Sequence, residues 1–416
     1  MCNNQSNPNP FLLLKEVFQK FGQDYVNQSR AKVLPSHIKV LNDVMKCGTE
    51  AMGRGYIQFC NCCQDKHVVY NCCQNRFCPK CHMIQKNKWW KNIKSKLPHC
   101  SYSFVTLAIS TSLHDIFYQH QGLMYGLLIR AGAKAIEEYS KKSFDGLPAI
   151  IAVIQTWNKK LDYHPHVHYI VSNGGGNLDG WSEPKNPNWI PTAQVMCRAK
   201  EIFLELLSKE QPALYPLVKQ LMRKELWEID CQPFGLEQAY EIDNNGNGRF
   251  GIDHSANLEK LLKYISRDCL AGHRIMDIGD ENVTIQYEDR DGQWVEERIP
   301  GVEYIRRYMQ HVLPKGFNKT RVYCLSHSSK RAELKIARKH FERQRRMSGC
   351  FIDKWLQDSS QVIHEESYNH SDKCSGCGTT ILKSTREFFN NFKPSTSYFT
   401  FCGRASPPDI PPLPHN

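Results

Sequence analysis

The chain has 416 residues, 41% hydrophobic and 23% charged, which is enough for two or three globular domains with a core each. Its 54 basic side chains outnumber 42 acidic ones, and a net charge of +12 attracts polyanions, so nucleic acid is the expected partner. There is no basic leader, no apolar run of the roughly 18 residues a membrane span needs, and 18 cysteines without an export signal, so we expect a cytoplasmic protein off the membrane, with metal-holding thiols rather than disulfides.

In chain order, residues 10 to 46 read as helical, with Phe11, Leu14, Val17 and Phe18 at helical spacing and a break near Pro35. A cysteine-dense segment follows. Cys60-x-x-Cys63 and Cys78-x-x-Cys81 stand fourteen residues apart, close to the two-knuckle spacing that encloses one tetrahedral Zn2+. The expected ligands are therefore Cys60, Cys63, Cys78 and Cys81, with Cys62, Cys72 and Cys73 as spares; His37, Cys47 and His82 are near enough to join a site, but a lone His or Cys there suits packing better. Next, Lys86, Lys88, Lys91 and Lys94 surround Trp89 and Trp90. Lysines suit phosphates, so these four are candidate DNA contacts, while the tryptophans suit either base stacking or a core.

The run SYSFVTLAIS predicts a strand, residues 117 to 142 a helix, LPAIIAVIQTW a strand and HPHVHYIVSNGGG another strand ending in glycines. Strand, helix, strand, turn, strand predicts an α+β fold on an antiparallel sheet. Residues 192 to 227 read as helical, ANLEKLLKYISRDCL (256–270) as a short amphipathic helix, and 274 to 299 as hairpin-like, with turns at Gly279-Asp280 and Asp291-Gly292. Lys330 to Arg346 carries eight Lys or Arg against two Glu, and Cys374-x-x-Cys377 is a third knuckle without a partner pair. The last thirty residues, with SPPDIPPLP, cannot pack a core and are expected to be disordered. The expected division is a helical segment at 1–46, a zinc-binding module at 47–98, a nuclease-like domain at 99–325 and a basic helix, knuckle and tail at 326–416.

Residues two apart on a strand share a face, so His166 and His168 present two imidazoles side by side, and a divalent ion held there keeps positions open for a phosphate oxygen. With the turn centred near Lys160, Gln155 lies roughly across from Pro165 and is the preferred third ligand, ahead of His164. The nucleophile suited to such a site is a tyrosine, whose phenolate can both attack a phosphodiester and leave again. Tyr264 sits at the margin of the stripe Leu258, Leu261, Leu262 and Ile265, with Lys260 and Asp268 one turn to either side. Tyr304 and Tyr308 form a rival pair, and spacing alone does not choose between the two helices.

Together CGTEAMG, YNCCQNRFCPKC, HPHVHYIV, LLKYISRD and YIRRYMQHVLPKGF, in that order over about residues 30 to 330, resemble the rolling-circle transposases of the insertion sequence 91 type, in the HUH endonuclease superfamily. The resemblance implies a HUH nuclease domain with an antiparallel central sheet flanked by helices, behind an N-terminal helical and zinc-binding module. It implies catalytic Mg2+ or Mn2+ on His166 and His168, Tyr264 as nucleophile, and structural roles for Tyr304 and Tyr308. Its expected partner is single-stranded DNA at element ends and target site, with no ATP required; homo-oligomerisation is left open. Many members carry a second tyrosine four residues after the first. Here that place holds Asp268, which puts a two-tyrosine handover in doubt and makes Asp268 a candidate base. A plasmid replication initiator or relaxase with the same chemistry, or an inactive zinc-containing DNA-binding protein, are the alternatives.

Overall fold

A computed structural model of the chain describes residues 10–28, 33–59, 62–63, 65–186, 188–223, 227–234, 239–242, 248–251, 258, 261–262, 265, 274–289, 291–347, 386–390 and 399. The elements alternate between helix and antiparallel sheet, an α+β architecture as expected. No described helix is long and apolar enough to cross a membrane.

Helices α1 (Pro10–Gln28) and α2 (Pro35–Lys46) form because apolar residues recur every three or four positions, and Pro35 at the first turn of α2 sets the break between them. Phe18, Phe21 and Tyr25 of α1 and Val40, Leu41 and Val44 of α2 are buried in one core. Strands β1 (Arg54–Phe59) and β2 (Lys66–Tyr70) follow as an antiparallel pair, and then α3 (Pro79–Lys94), which opens on Cys78 with Pro79 at its first position.

The central sheet is built from β3 (Tyr102–Ala108), β4 (Ala149–Trp157) and β5 (Tyr163–Ser172), with helices α4 (His114–Gln119) and α5 (Gln121–Ser143) between the first two strands. Beyond β5 come the short pair β6 (Gly175–Gly176) and β7 (Trp181–Ser182), helices α6 (Thr192–Glu210) and α7 (Tyr215–Met222), and strand β8 (Glu228–Phe234). Strands β9 (Ala239–Ile242) and β10 (Gly248–Gly251) make a separate ladder. Strands β11 (Ile275–Ile278), β12 (Asn282–Glu288) and β13 (Trp294–Pro300) form a three-stranded sheet in which Val283, Ile285 and Tyr287 alternate inward, the period-two pattern of a half-buried strand. Helix α8 (Gly301–Met309), β14 (Thr320–Cys324), α9 (Arg331–Met347) and β15 (Arg386–Asn390) complete the described elements, and β15 pairs with β1.

The five-stranded sheet runs β14-β4-β5-β3-β8, antiparallel at every pairing described, with β5 at its centre. Both faces are covered, which is why β4 reads as an almost continuous apolar run rather than an alternation. On one face Ile150, Ala152, Ile154, Val167 and Tyr169 pack on α5 and α6. Gly132 of α5 is required there, because a Cβ at that position would overlap the Tyr169 ring, whose hydroxyl donates to the Leu128 and Ile129 carbonyls at 3.2 Å each. On the other face Ala149, Ile151, Val153 and Ile170 pack with Trp90 and Ile93 of α3, with Leu334, Ala337 and Phe341 of α9, and with Leu258, Leu261, Leu262 and Ile265, which are helical.

Two buried histidines hold the periphery. His37 Nδ1 lies 3.0 Å from the Tyr25 hydroxyl, and His311 bridges Thr156 Oγ1 and the Leu161 carbonyl at 3.2 and 3.1 Å. Burial pushes His37 down to about 4 and His311 to about 3, so both stay neutral in the folded chain at pH 5 while an unfolded histidine, near 6.5, takes up a proton. The stability they confer is present above 6.5 and is lost as pH falls through the window from 6.5 toward 4, by about 2 kcal/mol for each at pH 5. Denaturant titrations at pH 7.5 and 5 should show that drop, and it should be smaller in a His311→Gln chain; an identical drop in both would remove His311 from the account.

Candidate functional site

The sheet brings His166 and His168 to the middle of the face that also carries Leu258 to Ile265. Both imidazoles are buried, at 8% and 3% exposure, and their Nε2 atoms face each other at 3.1 Å. Each ring is fixed through its other nitrogen: His166 Nδ1 donates to the His164 carbonyl at 2.7 Å, and His168 Nδ1 lies 2.9 Å from Thr106 Oγ1 on the neighbouring strand. Phe104 stacks on the His168 ring at 4.9 Å. Burial holds His166 down to about 4 and His168 well below its ordinary value, and the charge of Lys319 acts on both in the same direction. Both rings are therefore neutral at pH 7, with the His166 Nε2 lone pair turned toward His168 Nε2. Two nitrogens about 2.1 Å from one ion at a right angle would lie about 3 Å apart, so the pair fits a shared divalent metal.

Gln155 lies directly across from His166, not from Pro165 as the turn position suggests. The register shifts between Gln155 and Trp157, and the turn contains Leu161 in the left-handed region at φ 67°. That irregularity moves Gln155 by one position, onto the imidazole face. Gln155 is buried, and its Nε2 donates to the Ile265 carbonyl at 3.2 Å, which ties the helical segment to the strand carrying the pair. His164 is half-buried, with its ring 5.3 Å from that of His166. Thr106, which orients His168, carries no recognisable signal in the sequence.

The same turn is clamped by α8 and its C-terminal extension: Gln310 donates to the Leu161 carbonyl at 2.7 Å and Arg307 to the Lys160 carbonyl at 3.2 Å. Tyr304 and Tyr308 of α8 are buried in the core shared with α1, and the Tyr308 hydroxyl donates to the Phe77 carbonyl. Tyr264 and Asp268 lie outside the described residues.

The second cluster is made of sulfur. Cys47, Cys73, Cys78 and Cys81 place their Sγ atoms within 4.8 Å of one another, and Cys47 and Cys73 lie 3.6 and 3.5 Å from Cys81. Sulfurs at 2.3 Å from one tetrahedral zinc would lie about 3.8 Å apart, so this donor set fits a closed structural zinc site. Cys47 ends α2, Cys78 opens α3, and Cys81 follows one turn later. The Cys73 and Gln74 amides donate to the Cys47 and Cys81 sulfurs at 3.4 and 3.2 Å. Hydrogen bonds from the neighbouring thiols, Cys72 among them, drive Cys47 far below the ordinary thiol range.

The knuckle Cys78-x-x-Cys81 is thus in the cluster, and among the described residues its partners are Cys47 and Cys73. Cys63 is exposed, and Cys60 lies outside the described residues, as do Cys374 and Cys377. Knuckle spacing favoured Cys60 and Cys63 because it weighs residues close in sequence; Cys47 comes to the site only through the packing of α2 on α1. Of the candidate DNA contacts, Lys88 and Lys91 are exposed, Lys86 and Lys94 are half-buried, and Lys86 Nζ lies 4.9 Å from the centre of the Trp90 ring. Trp90 is buried in the core with Ile93, so it is unavailable for base stacking.

Comparison with known proteins supports the sulfur cluster as a zinc site. Residues 149–333 match a family model described as "Putative transposase", and residues 17–109 match one described as "Transposase zinc-binding domain". The chain is 27% identical over 335 residues to the "Putative transposase y4qJ" of Sinorhizobium fredii (strain NBRC 101917 / NGR234), covering 74% of this chain and 78% of that one. It is 21% identical over 298 residues to the "Transposase for insertion sequence element IS801" of Pseudomonas savastanoi pv. phaseolicola, covering 69% of each. No solved structure matches. The zinc-binding match contains the four converging cysteines, and the transposase match contains the histidine pair and the segment Leu258 to Ile265. With the two matches in this order on one chain, each around its own cluster, the chain is similar to the transposases of the insertion sequence 91 type.

Proposed function

We propose that the chain nicks and rejoins single-stranded DNA through a 5′-phosphotyrosine on Tyr264, driving transposition of the rolling-circle kind. The observation that carries this reading is the anchoring of Ile265, the residue after Tyr264, to Gln155 directly across from His166. This chemistry requires one scissile phosphate to meet both the tyrosine and the imidazole pair. His166, His168 and the carboxamide oxygen of Gln155 would hold Mg2+ or Mn2+, with His164 as the next donor. When bound, that ion supplies charge stabilisation at the phosphate.

The phenol oxygen of Tyr264 attacks phosphorus and its proton passes to a base, for which Asp268 is the candidate. The bond from phosphorus to the 3′ oxygen breaks, and that oxygen leaves as a 3′-hydroxyl after taking up a proton. A 3′-hydroxyl then attacks the phosphotyrosine and frees Tyr264. The bond energy is retained in the covalent link, so no ATP is consumed. Lys319, whose charge already reaches both imidazoles, offsets charge on the phosphate. A replication initiator or relaxase would share these steps; the zinc-binding match ahead of the transposase match favours transposition.

Tyr264→Phe should lose nicking of a labelled single-stranded oligonucleotide with Mn2+ by at least about 10³-fold and should form no protein–DNA adduct on a denaturing gel. An adduct of unchanged yield in that variant would assign the nucleophile elsewhere.

A further inference from the structure

Helix α9 and the zinc-side helix α3 are joined into one basic surface. Arg338 of α9 donates to the carbonyls of Lys94 and Leu97, at the C-terminal end of α3, at 3.0 to 3.2 Å. Both helices lay their apolar sides on the same sheet face, α3 through Trp90 and Ile93 and α9 through Leu334, Ala337 and Phe341, so their exposed sides look the same way. On α9 that exposed side carries Arg331, Lys335, Lys339 and Arg343, four apart each time. A rise of 1.5 Å per residue spaces these cations by about 6 Å over about 18 Å. On α3 it carries Lys88 and Lys91. No acidic residue stands between Asp65 and Asp115, and on α9 Glu333 is paired with Lys330 while Glu342 acts on Arg338.

We infer that this surface binds the backbone of double-stranded DNA beside the strand-cleavage site. Charge complementarity argues for a polyanion, and the state of the aromatic rings argues for a duplex. Proteins that hold single strands offer aromatic faces for bases to stack on. Here Trp90 and Phe341 are buried, and Phe341 packs against Trp181 at 5.0 Å between ring centres. Trp89 and Trp181 are half-buried and packed against the same core, while Arg331, Lys335, Lys339, Arg343, Lys88 and Lys91 stand exposed, a row of cations that can neutralise phosphates of stacked, paired DNA. The covered end of the sheet face, at Tyr102, Phe104, Ala149 and Ile151, is the end away from His166. A duplex on the helices would therefore lie over the same sheet face as the imidazole pair, where a single strand is needed. The inference rests on the proposed function in taking DNA as the substrate.

The test uses the full zinc-loaded chain carrying Lys335→Ala, Lys339→Ala and Arg343→Ala together. Binding of a 20-base-pair duplex of arbitrary sequence is followed by fluorescence anisotropy across a salt series without added magnesium or manganese. The slope of log affinity against log salt should shrink by about 2 to 3, near 0.9 for each lost duplex contact, with affinity at 100 mM salt falling by about tenfold or more. Binding and Mn2+-dependent nicking of an unstructured single strand should change less than about threefold. Unchanged duplex affinity, or a loss confined to the single strand, would overturn the assignment. A wild type that binds duplex as described but never nicks would remove the cleavage reading and leave this one standing.

Discussion

His168→Ala is expected to abolish metal-dependent strand cleavage, with a loss of about 10³-fold or more, while leaving the chain folded. The expectation follows from geometry. The two Nε2 atoms face each other at 3.1 Å in a buried site, and His166, which donates its Nδ1–H to the His164 carbonyl, turns a bare Nε2 toward His168. With Thr106 Oγ1 accepting from His168 Nδ1, the second Nε2 lone pair would face the same point, and one divalent ion would take both. Removing one ligand costs the shared ion, and with it the stabilisation of charge on the phosphate. Thr106→Val should be milder, at about 10- to 100-fold in Mn2+ affinity, because it frees the ring without removing it. Titration calorimetry with Mn2+ alongside the nicking assay separates these outcomes. Cleavage by His168→Ala at the wild-type rate would mean that the histidine pair is not the reaction centre.

The second large effect concerns sulfur. Cys47→Ser or Cys78→Ser should release one zinc per chain and unfold the region around α2 and α3, whereas Cys63→Ser should keep the metal. Structural zinc sites in small domains contribute about 10–16 kcal/mol of apparent binding energy at neutral pH, comparable to the whole stability of a domain. Cys47 and Cys78 are fully buried in the core that also holds α1, α8 and the three-stranded sheet, so damage should spread beyond the cluster. Metal content and limited proteolysis of the purified variants measure both parts. Retention of zinc by Cys47→Ser together with its loss from Cys63→Ser would replace the converging set with the knuckle pair.

Where local chemistry decides, reading the chain residue by residue was enough. The stripe in α1 and the alternation in β12 follow from periodicity, the break from Pro35 itself, and the strand of β4 from its continuous apolar run. The histidine pair was legible for the same reason: two residues apart on a strand means one face. The basic run at 330–346 reads as a charged helix, but its direction and partner do not, because they depend on Leu334, Ala337 and Phe341 finding the sheet. Trp90 was ambiguous for a like reason.

Contacts between distant segments escaped that reading. Strand β8 lies beside β3 although more than a hundred residues separate them, and nothing in Glu228–Phe234 announces that place. The expected position of Gln155 across from Pro165 was off by one, since an irregular register is invisible until both strands are paired. The cysteine quartet differs from the knuckle arithmetic because Cys47 comes from the end of a helix whose position is set by hydrophobic packing. Composition, repeat and motif thus carry the element types, the histidine pair and the family likeness, all short-range properties of the chain. Which thiols converge, which strand lies beside which, and that Leu258, Leu261, Leu262 and Ile265 share a face with the imidazoles were settled by packing, because a hydrophobic core selects among long-range pairings that local sequence leaves equivalent.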